Sequence, residues 1–287
     1  MHRFFVPPEL LKITNIDIAL PKELAHQVRD VIRLDIGEQL LLLDNSGDEI
    51  LATVAKTNKA NVEVHLLERR PGKSDPAVRI ILCQGLLKST GFEWILEKGT
   101  ELGVSVFSPI ICGRSMAGLK DSGSSKIQRW QRIIQEATEQ CGRSRLPELL
   151  PIRSLVDALN DITPGALAIM PWEGERTHTL HKVLTTSIYP ENNVGTTLAV
   201  VRPPHDSSIS FPENVGTTLA VARSMEPSTL QTPSTLVLFI GPEGGLMAEE
   251  VALAQRHGVQ VVTLGTRILR AETAAIATVA NVMYELE

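Results

Sequence analysis

The chain has 287 residues, of which 43% are hydrophobic, and its mean hydropathy is close to zero at +0.05. This length and composition fit one large or two modest globular domains with a real core. No apolar run reaches membrane-spanning length, and the apolar part of residues 1–12 is too short for a secretory signal. We therefore expect a cytoplasmic protein with no membrane partner. Cys83, Cys112 and Cys141 are odd in number and widely spaced, which favours neither a disulfide framework nor a zinc knuckle.

The net charge of −5 conceals a local excess of positive charge. Residues 1–72 and 151–287 carry net charges of −2 and −6, whereas residues 73–150 carry +3. Basic side chains of this middle segment gather in a predicted loop, a helix and the exit of that helix: Arg114, Lys120, Lys126, Arg129, Arg132, Arg143 and Arg145. A phosphate backbone is bound by such local clusters, so the segment is a candidate RNA-binding surface. A solvated helix face with charge pairs four residues apart would have a similar composition.

The first part of the chain has the pattern of a small β-rich domain. Five short elements are predicted there: strands over residues 38–43, 50–55 and 60–67, a hairpin turn over 44–48, and a helix over 24–34. Residues 69–76 are rich in chain-breaking residues. They predict a boundary between a first domain, residues 1–72, and a second domain, residues 76–287.

From residue 78 onward the pattern alternates between strands and helices. The predicted elements are strands over residues 78–84, 104–111 and 166–170, and helices that begin at Thr90 and Ser125. Thr90 and Glu93 have the spacing of a capping box, and Gly142 is placed to end the second helix. Such alternation predicts an α/β domain with a parallel sheet.

Two segments near the C terminus share the plan of a buried strand, a glycine-bearing loop and a helix start. In the first, the apolar strand 236–240 leads into Gly-Pro-Glu-Gly-Gly at residues 241–245. In the second, the strand 259–264 leads into Gly265 and then a helix from Ala271. Glycine lets a ligand approach the main chain closely, and open α/β sheets bind ligands at strand ends. Either loop alone is ordinary in α/β proteins, but two neighbouring strand ends would form one ligand-binding crevice.

The sequences GPEGG and LGTRILRAETA, which belong to these two loops, resemble the C-terminal signature motifs of the RsmE family. This family comprises SPOUT-class methyltransferases that modify N3 of a uridine in 16S rRNA. The similarity extends over nearly the whole chain, in the order HRFFV, VIRLDIGEQLLLLD, WILEKGTELGV, PIICGRS and RWQRIIQEATEQCGRSRLPEL. The resemblance implies an N-terminal PUA-like β-barrel that binds RNA, followed by a SPOUT α/β domain with a C-terminal deep trefoil knot.

The resemblance also implies the ligands and partners. The methyl donor is S-adenosylmethionine, no metal is required, and the partners are 16S rRNA or the small ribosomal subunit and a second copy of the chain. The residues expected to contact the donor are Pro171, Gly241, Pro242, Gly244, Gly245, Leu264, Gly265, Ile268, Leu269 and Thr273. The residues expected to contact RNA are Arg3, Arg129, Arg132 and Arg143.

The acceptor atom sets a further chemical requirement. Uracil N3 carries a proton at neutral pH, so the site needs a proton acceptor or a cation that stabilises developing negative charge. Arg114 and Arg270 are the cationic candidates, and Glu243 and Glu272 are the acidic ones. We assign catalysis to Arg114, Arg270 and Glu243. Glu272 could instead complement its own helix N terminus, and Arg270 could pair with it.

His178 and His181 share a helix face, but no third ligand lies near them in the sequence, so we expect no metal site. Residues from about 187 to 235 depart from the family pattern. VGTTLAV occurs twice there, at 194–200 and 215–221. Two copies are too few for a solenoid, so we expect a duplicated surface loop.

Two alternatives to uridine-N3 methylation stay open. One is a related knotted enzyme that methylates a different RNA atom, such as a ribose 2′-hydroxyl. The other is a non-catalytic RNA-binding factor in ribosome assembly, against which the intact donor-loop motifs argue.

Overall fold

The computed structural model describes residues 1–59, 61–115, 123–188 and 233–286. The repeated segment therefore lies outside the described residues, and so does Lys120. Within the described ranges, no helix is long and apolar enough to cross a membrane.

The N-terminal part of the chain forms a five-stranded sheet in the order β1-β3-β4-β5-β2. Its strands are β1 His2–Phe5, β2 Asp17–Ala19, β3 Gln39–Leu43, β4 Asp48–Thr57 and β5 Val62–Pro71. The helix α1 Lys22–His26 continues as a π-helix, Gln27–Ile32, and a short 3₁₀ helix spans Pro8–Leu11. The hairpin predicted between β3 and β4 is confirmed: the Asp44 carboxylate accepts the backbone N–H of Ser46 at 3.1 Å, and Gly47 has φ of 100°. A separate apolar core that includes Phe4, Leu42 and Val64 fills this sheet region.

The described residues after β5 build a seven-stranded sheet whose strand pairs are all parallel, as predicted. Its strands are β6 Arg79–Gly85, β7 Val104–Ile111, β8 Glu148–Leu149, β9 Arg153–Ser154, β10 Leu167–Pro171, β11 Thr235–Ile240 and β12 Gln260–Val262. Its helices are α2 Ser89–Glu101, α3 Ser124–Cys141, α4 Leu155–Asn160, α5 Leu180–Ile188, α6 Ala248–Arg256 and α7 Ala271–Leu286. The strands are buried because helices cover both faces, which explains their continuous apolar runs.

The strand order corrects one prediction about the crevice. The sheet runs β12-β10-β11-β6-β7-β8, so β11 and β12, the strands before the two glycine loops, are not neighbours. Strand β10 lies between them, with Ile169 opposite both Leu238 of β11 and Gln260 of β12. In a parallel sheet all carboxyl ends lie at the same edge, so the segment after β10 also reaches this edge.

The predicted end of α3 agrees with the structure, and the predicted cap at the start of α2 does not. Helix α3 ends at Gly142, whose φ of 86° is the left-handed conformation expected of a glycine C-cap. Helix α2 begins at Ser89 without a side-chain cap, so the capping box predicted for Thr90 and Glu93 is absent. The Glu93 carboxylate instead accepts a hydrogen bond from Arg129 Nη2 of α3 at 2.7 Å.

The placement of Arg143 does not support its predicted contact with RNA. Its side chain sits inside the protein, where the residue is only 4% exposed. Its Nη1 donates to the carbonyl oxygens of Thr100 at 3.1 Å and Val104 at 2.7 Å. Asp75 lies 3.5 Å from its Nε and also accepts from Ser144 Oγ. The guanidinium therefore joins the end of α2 and the start of β7 to the chain segment that connects the two sheets.

We expect Arg143→Ala to lower the free energy of unfolding by about 3–5 kcal/mol. The substitution leaves the carbonyl oxygens of Thr100 and Val104 and the carboxylate of Asp75 without their partner. Arg132→Ala is the matched control on exposed helix surface, and it should change the stability by no more than about 0.5 kcal/mol. Urea denaturation followed by circular dichroism measures both. Equal midpoints for the two variants would contradict the structural role of Arg143.

Candidate active site

A cavity of about 490 Å³ opens at the carboxyl edge of β10 and β11, and a smaller depression of about 90 Å³ adjoins it. Seven of the residues expected to contact a donor line the larger cavity: Pro171, Gly241, Pro242, Gly244, Gly245, Ile268 and Leu269. Leu264 and Gly265 line the smaller depression. Pro171, Ile268 and Leu269 belong to both, so the two hollows share one wall.

Thr273 is the expected donor contact that the geometry does not support. It is exposed and lines neither hollow, whereas its neighbour Glu272 lines the larger cavity and Ala274 lines both. Successive residues of a helix are rotated by about 100°, so adjacent positions of α7 face different ways.

The first glycine loop is held close to the main chain of its neighbours. Gly245 has φ of 72°, and its N–H donates to the Pro242 carbonyl at 2.9 Å. A Cβ added at Gly245 would lie 2.8 Å from Oε1 of Glu173, the residue that follows β10 in the loop. On the other side, Nε2 of the buried Gln84 reaches the Gly241 carbonyl at 3.3 Å. The loop therefore lies between the end of β6 and the loop that follows β10.

The second loop is also closed by its own hydrogen bonds. Thr263 Oγ1 donates to the Gly265 carbonyl at 3.1 Å and accepts from the Gly265 N–H at 3.2 Å. Gly265 adopts φ of 113°. The segment after it lines the cavity at Ile268, Leu269 and Arg270, and α7 then begins at Ala271. Ile268 remains 84% exposed although it lines the cavity.

The cationic candidates lie at the first loop and in the cavity wall. Arg114 follows β7, and its Nη1 donates to the Gly244 carbonyl at 3.1 Å. Arg270 lines the cavity. The structure thus brings Arg114 to the glycine loop although 130 residues separate it from Gly244.

The acidic candidates both approach the N terminus of α2. Glu243 lines the cavity, and its Oε1 accepts the N–H of Lys88, the N-cap of α2, at 3.1 Å. Glu272 lines the cavity as well, and a Cβ added at Gly91 in the first turn of α2 would be 2.8 Å from its Oε1. Negative charge is stabilised at a helix N terminus, so α2 holds both carboxylates at the cavity wall.

Glu173 is a cavity residue that the sequence analysis did not single out. It lines both hollows and lies against Gly245. The signal was present in PWEGE, residues 171–175, because a polar group directly after a buried parallel strand lies at the ligand-binding edge. Glu175 shapes the same loop: its Oε1 accepts the N–H groups of Arg176, Thr177 and His178 at 2.9, 2.7 and 3.0 Å. The hydrogen bond from the Thr177 hydroxyl, followed by those from the Thr177 and His178 N–H groups, holds the pKa of Glu175 well below its usual range.

The cavity has an excess of negative charge and an apolar part. Glu173, Glu243 and Glu272 face one cation in the lining, Arg270. The large aliphatic side chains of the lining are Ile240, Leu246, Ile268 and Leu269. Such a lining fits a ligand that combines a flat apolar group with positive charge.

The two histidines considered as ligands have carboxylate partners instead. His181 Nδ1 lies 2.9 Å from Glu285 Oε1, and His178 Nδ1 lies 3.3 Å from Glu175 Oε1. Among the residues with described positions, no group of three or more His, Cys, Asp or Glu side chains could hold a metal ion.

The remaining basic candidates lie at the surface of α3 and beside it. Arg132 is exposed, and the Arg129 side chain is 66% exposed although it pairs with Glu93. Lys126 Nζ lies over the ring of Trp130, 5.0 Å from its centroid. Arg3 is more enclosed, with Nε 3.7 Å from Glu49 Oε1 and its guanidinium near Gly142.

This chain matches the family model of an RNA methyltransferase domain over residues 73–201 and 208–283. The protein therefore belongs to this family of RNA methyltransferases, which confirms the resemblance to the RsmE family found in the two loops. Ribosomal RNA small subunit methyltransferase E of Bacillus subtilis (strain 168) is 26% identical over 290 residues, which cover 100% of this chain and 98% of the relative.

Two solved structures have a similar fold. One is a ribosomal RNA small subunit methyltransferase E from Neisseria gonorrhoeae bound to S-adenosyl methionine, with a TM-score of 0.72 and 24% identity over 99% of this chain and 97% of that one. The other is a methyltransferase from Legionella pneumophila in complex with the same cofactor, with a TM-score of 0.70 and 25% identity over 98% of this chain and 96% of that one.

We expect Gly245→Ala to weaken binding of S-adenosylmethionine at least tenfold, about 1.4 kcal/mol, because the new Cβ displaces Glu173 or the loop. Gly258→Ala is the control: Gly258 also has positive φ, 81°, but nothing lies within 4 Å of an added Cβ. Both variants should lose about 1–2 kcal/mol of stability from backbone strain. Isothermal titration calorimetry separates the effects, and equal affinities in the two variants would remove Gly245 from the donor site.

Proposed function

We propose that this protein transfers the methyl group of S-adenosylmethionine to N3 of a uridine in the 16S rRNA of the small ribosomal subunit. The observation that carries this proposal is the cavity formed jointly by the two glycine loops at the carboxyl edge of the parallel sheet. Full-length similarity to a ribosomal RNA small subunit methyltransferase E supports the choice of substrate.

The lining suits the proposed donor in shape and in charge. The donor supplies an electrophilic methyl carbon on a positively charged sulfur. Ile268 and Leu269 offer apolar surface to its adenine, and the main chain of the loops offers hydrogen-bonding groups. Glu173, Glu243 and Glu272 favour its positive charge. Alignment of donor and acceptor by such a fixed wall can contribute up to about 7–11 kcal/mol to the rate.

The acceptor uridine needs help from charged side chains. Arg114 and Arg270 are the residues we assign to the developing negative charge on the uracil ring, an effect worth about 10²–10³-fold in rate. Glu243 is the assigned proton acceptor. Because its Oε1 accepts the Lys88 N–H, its Oε2 is the oxygen left to receive the N3 proton.

The RNA is proposed to lie across α3 and the N-terminal sheet. Arg129 and Arg132 contact phosphates, and Arg3 lies at the edge of this surface. Residues 1–72 form the proposed PUA-like barrel that grips the RNA, and residues 76–287 form the SPOUT domain. Both proposals are supported by the division of the strands into two sheets.

A deep trefoil knot, a homodimer and a cytoplasmic location complete the proposal. The knot is supported by the path of the chain, which leaves β10, forms β11 on one side of it and returns to form β12 on the other. The dimer is supported by the exposure of Ile268 and Tyr284, each 84%, at the start and end of the C-terminal segment. The cytoplasm is where ribosomal subunits are found.

Mapping of methylated nucleosides in rRNA tests the activity. A strain that lacks this protein should lack N3-methyluridine at one position of 16S rRNA and regain it with the wild-type chain. It should not regain the modification with Arg114→Ala, because that variant has lost the cation at the donor loop. Loss of a ribose methylation would identify a different acceptor atom. No change in rRNA, together with no binding of S-adenosylmethionine, would point to an assembly factor.

Replacement of both Arg129 and Arg132 by Ala should weaken RNA binding and flatten its salt dependence. Each lost phosphate contact lowers the slope of log K against log salt concentration by about 0.7–0.9. Arg256→Ala, at an exposed position on α6, is the control and should leave the slope unchanged. Fluorescence anisotropy with a labelled 16S rRNA fragment measures the slopes. An unchanged slope in the double variant would refute this footprint.

A further inference from the structure

The carboxylate of Glu250 bridges two parts of the chain that meet beside the donor cavity. Its Oε1 accepts the backbone N–H of Gly113 at 2.7 Å. Its Oε2 accepts the backbone N–H of Met247, the N-cap of α6, at 2.8 Å. One side chain therefore joins the turn after β7 to the helix that follows the glycine loop 241–245.

The turn that receives this hydrogen bond is compact. Ser115 Oγ accepts the N–H of Cys112 at 2.9 Å, and the N–H of Ser115 donates to the Cys112 carbonyl at 3.0 Å. The side chain of Met247 packs on Gly113, and a Cβ at this position would require the Met247 methyl group to move. The Glu250 hydrogen bond thus anchors the turn that carries Arg114 as a unit.

Arg114 is the residue after Gly113, and its side chain contacts the glycine loop 241–245. Its Nη1 donates to the Gly244 carbonyl, and a Cβ added at Gly244 would lie only 3.0 Å from Arg114 Cβ. The main chain of Arg114 and the loop are therefore in close contact, and a shift of the turn would move the guanidinium away from the cavity edge.

We propose that Glu250 is a positioning residue that sets the place of Arg114 at the donor loop through the N–H of Gly113. This inference rests on the proposed methyl transfer, in which Arg114 stabilises charge on the uridine. Glu250 itself does not line the cavity. Its effect on the reaction passes through Arg114.

The neighbouring Glu249 supplies a matched control. It occupies the same first turn of α6, carries the same charge and is exposed, and no hydrogen bond or ion pair of its side chain occurs among the described residues. A general effect of acidic charge at this helix N terminus would therefore be removed equally by Glu249→Ala and Glu250→Ala.

A double-mutant cycle on the full-length protein tests the coupling. Arg114→Ala should lower kcat for methylation of a 16S rRNA fragment by about 10²–10³-fold. Glu250→Ala should lower kcat at least tenfold, and Glu250→Gln, which keeps one acceptor oxygen, should lose less. The combination of Arg114→Ala with Glu250→Ala should be no slower than Arg114→Ala alone, because Glu250 affects the rate only through the position of Arg114. Glu249→Ala should match the wild type.

Losses that multiply in the double variant would overturn the proposal, and so would a Glu249→Ala variant as slow as Glu250→Ala. Amide hydrogen exchange at Gly113 gives a readout that needs no activity. Exchange there should accelerate in Glu250→Ala and stay unchanged in Glu249→Ala, and unchanged exchange in Glu250→Ala would also overturn the anchor. If wild-type protein transfers no methyl group while the exchange result holds, the proposed function fails and the anchor stands.

Discussion

The position of β10 between β11 and β12 is the constraint on which the cavity at the carboxyl edge of the sheet depends. Parallel pairing sends all three strands toward one edge, so their following loops must converge there. Because β10 lies between them, the loop after β10 enters the space between the two glycine loops and brings Glu173 against Gly245. The cavity is therefore a property of strand order more than of either loop sequence.

Two carboxylates of the cavity wall lie near the N terminus of α2. Glu243 comes from the loop after β11 and Glu272 from the start of α7, yet both carboxylates meet the first turn of the same helix. The partial positive charge of that helix end favours the ionised form of both carboxylates. Two acidic groups from distant parts of the chain thus line the same cavity near one helix N terminus.

The local features of the site could be predicted from the sequence, and the non-local ones could not. The apolar run before Gly241, the glycine loops and the end of α3 at Gly142 depend on residues adjacent in the chain. The pairing of β10 with both β11 and β12 depends on contacts over long separations, which no local pattern encodes. The prediction that β11 and β12 are neighbours was wrong for this reason.

Two residues show the same limit for side chains. Arg143 belongs to a basic cluster by composition, but burial against the carbonyls of Thr100 and Val104 makes it part of the core. Thr273 lies within a signature motif, but it is exposed and lines neither hollow, whereas its neighbours Glu272 and Ala274 line the larger cavity. A resemblance identifies which motif forms the site, and the backbone geometry decides which of its side chains face inward.

Two hydrogen bonds join the C-terminal end of α3, and the segment just after it, to the N-terminal sheet region. The N–H of Phe5 in β1 donates to the Glu139 carboxylate at 3.1 Å, and just beyond the helix the N–H of Leu146 donates to Asn45 Oδ1 at 2.7 Å. These hydrogen bonds hold the C-terminal end of the helix that carries Arg129 and Arg132 against the first sheet. For the RNA path proposed across both, they fix the distance between the two contact surfaces at that end of the helix.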